Sequence, residues 1–171
     1  MSQNRSQYSV QLRVVKPGPG SRIHRNVITG VAGQEWLTGA LLTQTNDGRA
    51  DTVPPPITAT ITVPVRYIAL SGFDGSANTR VAVQEIDANT VLCAQIKSGT
   101  ATAANIGKRG VLVRDTTTGN YAVEITNSNP SLEIVDVEPN FAPYAPKAQG
   151  QYNLVWFKFL PVVLNIAPGS A

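Results

Sequence analysis

The sequence predicts an all-β protein, an antiparallel β-barrel or β-sandwich with extended N- and C-terminal arms. Short runs rich in Val, Ile, Leu and Thr recur along the chain, and clusters of Asp, Asn, Gly and Pro separate them. Runs of about five to eight residues at such intervals are typical of sandwiches and barrels, not of alternating βα units. No window has the apolar period of an amphipathic helix, so we expect at most a turn or two of helix, near Gln34 or Ala101.

The prediction is clearest between residues 80 and 126. Polar turns at residues 87–90 and 116–120 divide this stretch into short apolar segments, which is the pattern of antiparallel strands joined by hairpins. Residues 57–63 alternate between apolar and hydroxyl side chains, so we expect a strand with one buried face there. Residues 151–159 form the most aromatic run, and we expect them at the centre of the sheet. Further strands are predicted at residues 8–15, 26–31, 65–70 and 132–137.

Trp36 stands between Gly33 and Gly39. Its large ring is expected to cover one end of the core, while the glycines allow the tight bends on either side. Stacking on a ligand is the alternative role for this side chain.

Length and charge divide the chain into three parts. A chain of 171 residues is expected to form one domain with its own core. Residues 1–34 carry five basic residues and no acidic one, whereas the remainder carries nine basic and eleven acidic residues. We therefore predict a basic N-terminal arm at residues 1–25, a single β domain at residues 26–159 and an uncharged, apolar C-terminal tail at residues 160–171.

Cys93 is the only cysteine, so an intrachain disulfide is excluded, and we expect a buried thiol in a reducing, cytosol-like compartment. The N-terminus lacks an apolar signal core, and no apolar run approaches the roughly 20 residues of a membrane helix. The sequence therefore predicts neither a signal peptide nor a membrane span.

Catalytic chemistry is not expected. The single histidine, His24, lies in a basic stretch, and one His with one Cys supplies too few soft ligands for a metal site. Asp47 and Asp74 lie in loops without the dense carboxylate spacing of a calcium site. Residues 107–110 place two cations between glycines and could hold a phosphate, although a solvated hairpin end is favoured. We predict no catalytic, metal-binding or cofactor-binding residues.

The basic arm is instead expected to contact a partner. The body lacks a strand with interleaved basic and aromatic residues, which a single-stranded nucleic-acid platform would have, so an acidic protein surface is favoured over nucleic acid. Low charge, 15% of residues against about 25% in an ordinary domain, also suits an assembly subunit. The predicted partner-binding residues come from the arm and the tail: Arg5, Tyr8, Arg13, Lys16, Arg22, Arg25, Val162, Val163 and Leu164.

Three stretches recur in an order that is typical of a known family. They are residues 33–42 (GQEWLTGALL), residues 67–70 (YIAL) leading into 81–86 (VAVQEI), and residues 106–107 followed by a strand and the turn at 115–120 (DTTTGN). In these stretches the chain resembles the small β-rich decoration, or cement, proteins of tailed-bacteriophage capsids. The resemblance implies a compact β domain on the outside of an icosahedral shell, commonly a trimer, that binds the major capsid protein and stabilises the shell by bridging capsid subunits. It implies no catalytic or metal residues, production in the host cytoplasm, and a final location on the virion surface.

Two other functions stay open from the sequence. A β-rich module could bind a glycan or nucleic acid through residues 71–78 and the region of Trp36. An enzyme would have to be built around His24 or Cys93.

Overall fold

The computed structural model describes residues 12–114, 120–137 and 153–164. These residues form eleven strands, one 3₁₀ turn and one short helix, which confirms the all-β prediction. The strands are β1 Arg13–Lys16, β2 Ile23–Thr29, β3 Leu41–Gln44, β4 Ala50–Thr52, β5 Tyr67–Ala69, β6 Arg80–Glu85, β7 Val91–Ile96, β8 Arg109–Arg114, β9 Tyr121–Ile125, β10 Leu132–Val137 and β11 Leu154–Phe159; the 3₁₀ turn is Ala103–Asn105 and the helix is α1 Pro161–Leu164.

Five strands close into a barrel. The strand order is β7-β11-β10-β8-β9, and a parallel pairing of β9 with the second half of β7 joins the two ends. Strand β1 pairs antiparallel with the first half of β7, on the same edge. Strand β11 lies between β7 and β10, as its aromatic content predicted.

The other five strands form a second sheet in the order β2-β6-β5-β3-β4, with every pair antiparallel. This sheet curls, so that Gly30, which follows β2, makes a single bridge to Ala50 on β4. The turn between β6 and β7 connects this sheet to the barrel.

Each face of the second sheet contributes to a buried apolar cluster. One face, including Leu41 and Ile68, packs with the barrel interior, where Leu92, Leu112 and Phe157 lie. The opposite face packs in a smaller cluster with the rings of Trp36 and Phe73, and the cluster as a whole comprises Ile28, Trp36, Leu42, Ala50, Tyr67, Ala69, Phe73, Val81 and Val83. Because successive strand residues point to opposite faces, the apolar pair Leu41–Leu42 serves both cores. This explains why β3 and β5 are apolar runs without alternation.

The predicted strand at residues 57–63 is wrong. Ile57 makes one bridge to Leu112, and the residues after it form turns and bends. The Thr58 and Thr60 hydroxyl groups hydrogen-bond each other at 2.9 Å, and residues 58–63 belong to none of the described strands. Side-chain bonding of this kind competes with strand pairing, so the alternating pattern does not form a sheet here.

The described parts of the predicted arm and tail, residues 12–25 and 160–164, belong to the folded body. Leu12 is 3% exposed in the barrel core, β1 is the edge strand that the arm was expected to add, and the proposed arm boundary at residue 25 falls within β2. The predicted turn of helix near Ala101 is present, whereas residues around Gln34 form turns, and the helix α1 was not predicted.

Candidate functional site

The most exposed apolar side chains of a described strand lie on β2. Ile23 is 51% exposed and Val27 is 71% exposed. Arg22 and Arg25 are exposed beside them, and we call these four residues the β2 edge patch. Strand β2 ends the sheet order, so over residues 23–27 its only strand partner among the described residues is β6.

A bulge pushes part of this patch outward. His24 pairs with Val83 and Ile28 pairs with Val81, so residues 25–27 face a single residue of β6. Asn26 adopts a left-handed conformation with φ of 58° in the middle of the bulge. Residues 25–27 are all exposed. The bulge therefore interrupts the ladder and presents Arg25 and Val27 on a bend.

The start of the strand is held by polar contacts. His24 Nε2 lies 2.7 Å from Glu85 Oε1, and the Ser21 hydroxyl donates to the Glu85 backbone oxygen at 2.6 Å. Gln84 Nε2 donates to Ser21 Oγ at 3.2 Å, and the Glu85 N–H donates to the Arg22 carbonyl at 2.8 Å. These contacts fix the patch to β6, so it is a surface of defined shape.

The predicted partner-binding residues of the arm fall into three groups. Arg13 and Lys16 are exposed on β1, and Arg22 and Arg25 lie in the β2 edge patch. Arg5 and Tyr8 lie outside the described residues. Patch residues Ile23 and Val27 were missed, because a strand-like Val or Ile gives no sign in the sequence of which face it takes.

The tail prediction needs correction. Val163 is 0% and Leu164 is 5% exposed, and both pack in the barrel core. The N–H of Val65 donates to the Val163 carbonyl at 2.9 Å, which ties α1 to the body. Of the three predicted tail residues Val162, Val163 and Leu164, Val162 is the one that is exposed, at 45%. An uncharged apolar segment can pack either in the core of its own domain or against a partner. Val163 and Leu164 pack in the core.

The two residues around which an enzyme was considered lie in different sheets. Cys93 is fully buried on β7 of the barrel, whereas His24 lies on β2 of the second sheet, paired with Glu85. Over residues 12–114, 120–137 and 153–164, no three His, Cys, Asp or Glu side chains converge as a metal site would require.

A cleft of about 310 Å³ opens where the loop of residues 34–40 meets the end of the barrel. Trp36 lines this cleft and is 6% exposed, which confirms its predicted place in the core. Its ring packs on Phe73, with centroids 4.4 Å apart. Tyr121 and Arg114, from β9 and β8, form the barrel side.

Several hydrogen-bonding groups line the cleft. The Thr52 hydroxyl donates to Gln34 Oε1 at 3.2 Å, and the Leu41 N–H donates to the Tyr121 hydroxyl oxygen at 3.4 Å. Burial raises the pKa of Tyr121, so its phenol stays protonated and able to donate. Trp36 Nε1 is buried without an acceptor among the described residues. Sequence reasoning singled out Trp36 but not Gln34 or Tyr121, which tertiary packing alone brings together.

Comparisons of this chain with protein-family models, with curated proteins and with solved structures found no match. In the part of the chain that the structure describes, no helix has the length and apolar character needed to cross a membrane.

Proposed function

We propose that this protein is a structural virion subunit, a decoration or cement protein. It binds the outer surface of an icosahedral phage capsid and stabilises the shell by bridging neighbouring capsid subunits. The observation that carries the proposal is the β2 edge patch, which combines exposed apolar and basic side chains on a fixed bend. The resemblance in residues 33–42, 67–70, 81–86 and 106–120 indicates a phage capsid as the assembly.

The patch has the composition of a docking surface. Fully burying one Ile or Val side chain contributes about 1.5–3 kcal/mol. A partner that covers the exposed parts of Ile23 and Val27 therefore gains binding free energy from a small contact area. Arg22 and Arg25 add positive charge, and residues 12–34 contain four basic residues and no acidic one. An acidic, partly apolar surface is therefore the complementary partner, and the outer face of the major capsid protein is that partner in this proposal.

The bulge favours recognition by side chains. A flat, unpaired edge strand invites pairing with any other strand, whereas a bulge at residues 25–27 interrupts the row of backbone groups. The patch therefore favours a partner with a complementary surface and disfavours pairing with the strands of other chains.

Bridging requires more than one such contact. A homo-oligomer, with a trimer favoured by the resemblance, would present several patches to adjacent capsid subunits. Linked weak contacts then act together, because each bound patch raises the effective concentration of the next.

The proposal is tested with capsids of the virus that encodes this chain, purified without it. Wild-type protein is added, and the amount that sediments with the shells and the heat resistance of the shells are measured. The test variant Ile23→Asp/Val27→Asp is expected to lose about tenfold or more in affinity and to leave the shells as heat-labile as undecorated ones.

The matched control is Leu37→Asp/Leu70→Asp, which alters two other exposed apolar residues, 68% and 37% exposed. It should decorate and protect like wild type. Failure of the wild-type protein to sediment with shells would overturn the function, and normal binding by the Ile23/Val27 variant would overturn the patch.

A further inference from the structure

We infer that the cleft beside Trp36 and Tyr121 is a binding site for a neutral glycan. None of its lining residues belongs to the β2 edge patch, so the inference does not rest on the proposed function. It rests on the hydrogen-bonding groups, the balance of charge and the size of the cleft.

The first observation is an unsatisfied donor in the cleft wall. Trp36 is 6% exposed and lines the cleft, yet its Nε1–H has no acceptor among the described residues. Leaving a buried donor unpaired costs about 1–3 kcal/mol, so native proteins rarely do so without a reason. Nε1 itself has less than 1 Å² of accessible surface, so an oxygen-rich ligand would supply the missing acceptor after a small shift of the ring towards the cleft.

Neighbouring groups extend the set of donors. Gln34 uses Oε1 to accept from Thr52, which leaves its amide N–H groups as donors. The Tyr121 oxygen accepts from the Leu41 N–H, which leaves its own proton to donate. Sugar hydroxyl groups accept such bonds and also donate, so each could pair with these side chains.

The charges of the lining side chains favour an uncharged ligand. Glu35 and Arg114 both line the cleft, so its lining contains one acidic and one basic side chain. A lone anion or cation would therefore meet a like charge on one side. A polyol instead offers donors to Glu35 and acceptors to the donor groups.

The apolar part of the lining suits the C–H face of a sugar ring. Tyr121 is partly buried, Pro54 is exposed, and Leu37 is 68% exposed at the rim. Pockets of this type combine apolar surface, against which a C–H face packs, with a few polar groups that set orientation.

Size limits the ligand to one or two sugar units. The volume of about 310 Å³ is at the small end of the roughly 300–1,000 Å³ common for ligand sites. A second cleft of about 260 Å³ shares the wall formed by Val53, Pro54 and Pro55. Thr58, Thr60 and Thr62 line it, and its volume would accept a further unit of a short oligosaccharide.

The experiment uses the full chain carrying Trp156→Phe, which leaves Trp36 as the only tryptophan of the two in the sequence. Neutral mono- and disaccharides, a uronic acid and an amino sugar are titrated, and Trp36 fluorescence and saturation-transfer NMR are recorded. A neutral sugar should shift the emission and receive saturation, whereas the two charged sugars should bind more weakly. Preferential binding of a charged sugar, or no response to any neutral sugar, would overturn the inference.

Variants then locate the site. Gln34→Ala and Tyr121→Phe should each weaken binding roughly two- to tenfold, as expected for one lost hydrogen bond. The matched controls Gln44→Ala and Tyr67→Phe alter residues that do not line either cleft and should bind like the parent. Unchanged binding by both test variants would contradict the assignment. Ile23→Asp/Val27→Asp should still bind the sugar, which separates this result from the capsid test.

Discussion

Trp36 and Phe73 are joined both by their rings and by their backbones. The ring centroids lie 4.4 Å apart, and the two residues exchange N–H to carbonyl bonds of 3.1 and 2.9 Å. Beneath them, Gly30 has no room for a Cβ atom, because that atom would meet the Phe73 ring. This contact holds the loop of residues 34–40 against the second sheet, and Trp36 lines the cleft.

Replacing Phe73 by Ala is therefore expected to lower the free energy of unfolding by about 3–5 kcal/mol, because a buried aromatic side chain and its packing on Trp36 are lost. Denaturant unfolding measures the change. Leu37→Ala alters a neighbouring, 68% exposed residue and should change the stability by less than about 0.5 kcal/mol. Similar values for the two variants would show that the ring contact contributes little.

Gly18 is expected to be intolerant of Ala. The Asp87 carboxylate occupies the place where a Cβ on Gly18 would lie, and this carboxylate also accepts from the Gly20 N–H at 3.0 Å. Gly18→Ala should therefore cost roughly 1–3 kcal/mol in unfolding free energy. In an Asp87→Ala background the clash is gone, so the same substitution should cost less. Additive losses in this double-mutant cycle would contradict the explanation.

The pH dependence of Asp87 follows from its hydrogen bonds. Burial alone would raise its pKa, but the bonds from the Thr90 hydroxyl and from the backbone of Gly20, Asn89 and Thr90 outweigh burial and lower the pKa. A lowered folded-state pKa means that the carboxylate stabilises the fold above its unfolded pKa of about 3.9. That contribution is lost as the pH falls through the folded-state value.

The stability difference between wild type and Asp87→Asn should therefore be constant above about pH 5 and shrink in more acidic solution. Urea unfolding at a series of pH values measures this difference. A difference that stays constant down to the acid unfolding limit would show that the carboxylate charge is not the stabilising feature.

Much of the strand pattern was predictable, because the strands around residues 80–97 and 120–126 carry their own turn signals. Residues 57–63 show the limit of the pattern, since alternating apolar and hydroxyl side chains also suit a segment whose hydroxyl groups bond one another. The closure of the barrel by β7 and β9 could not be predicted, because a parallel pair between distant segments leaves no local signal.

The candidate sites were less predictable than the fold. Trp36 gave a signal because a large ring between glycines is unusual, but Gln34 and Tyr121 meet only after the second sheet packs on the barrel. The basic character of the arm singled out Arg22 and Arg25, which are exposed, whereas the bulge that exposes Val27 depends on the unusual backbone of Asn26.

The C-terminal helix provides a test of the corrected tail. Val163 is 0% exposed and Val162 is 45% exposed, although the two residues are identical neighbours. Val163→Ala should lower the free energy of unfolding by about 1–3 kcal/mol, because it leaves a cavity in the barrel core, whereas Val162→Ala should change it by less than about 0.5 kcal/mol. Thermal and denaturant unfolding of the isolated protein compare the two. Equal, small effects would mean that α1 does not pack on the body, and would return Val163 to the set of residues available to a partner.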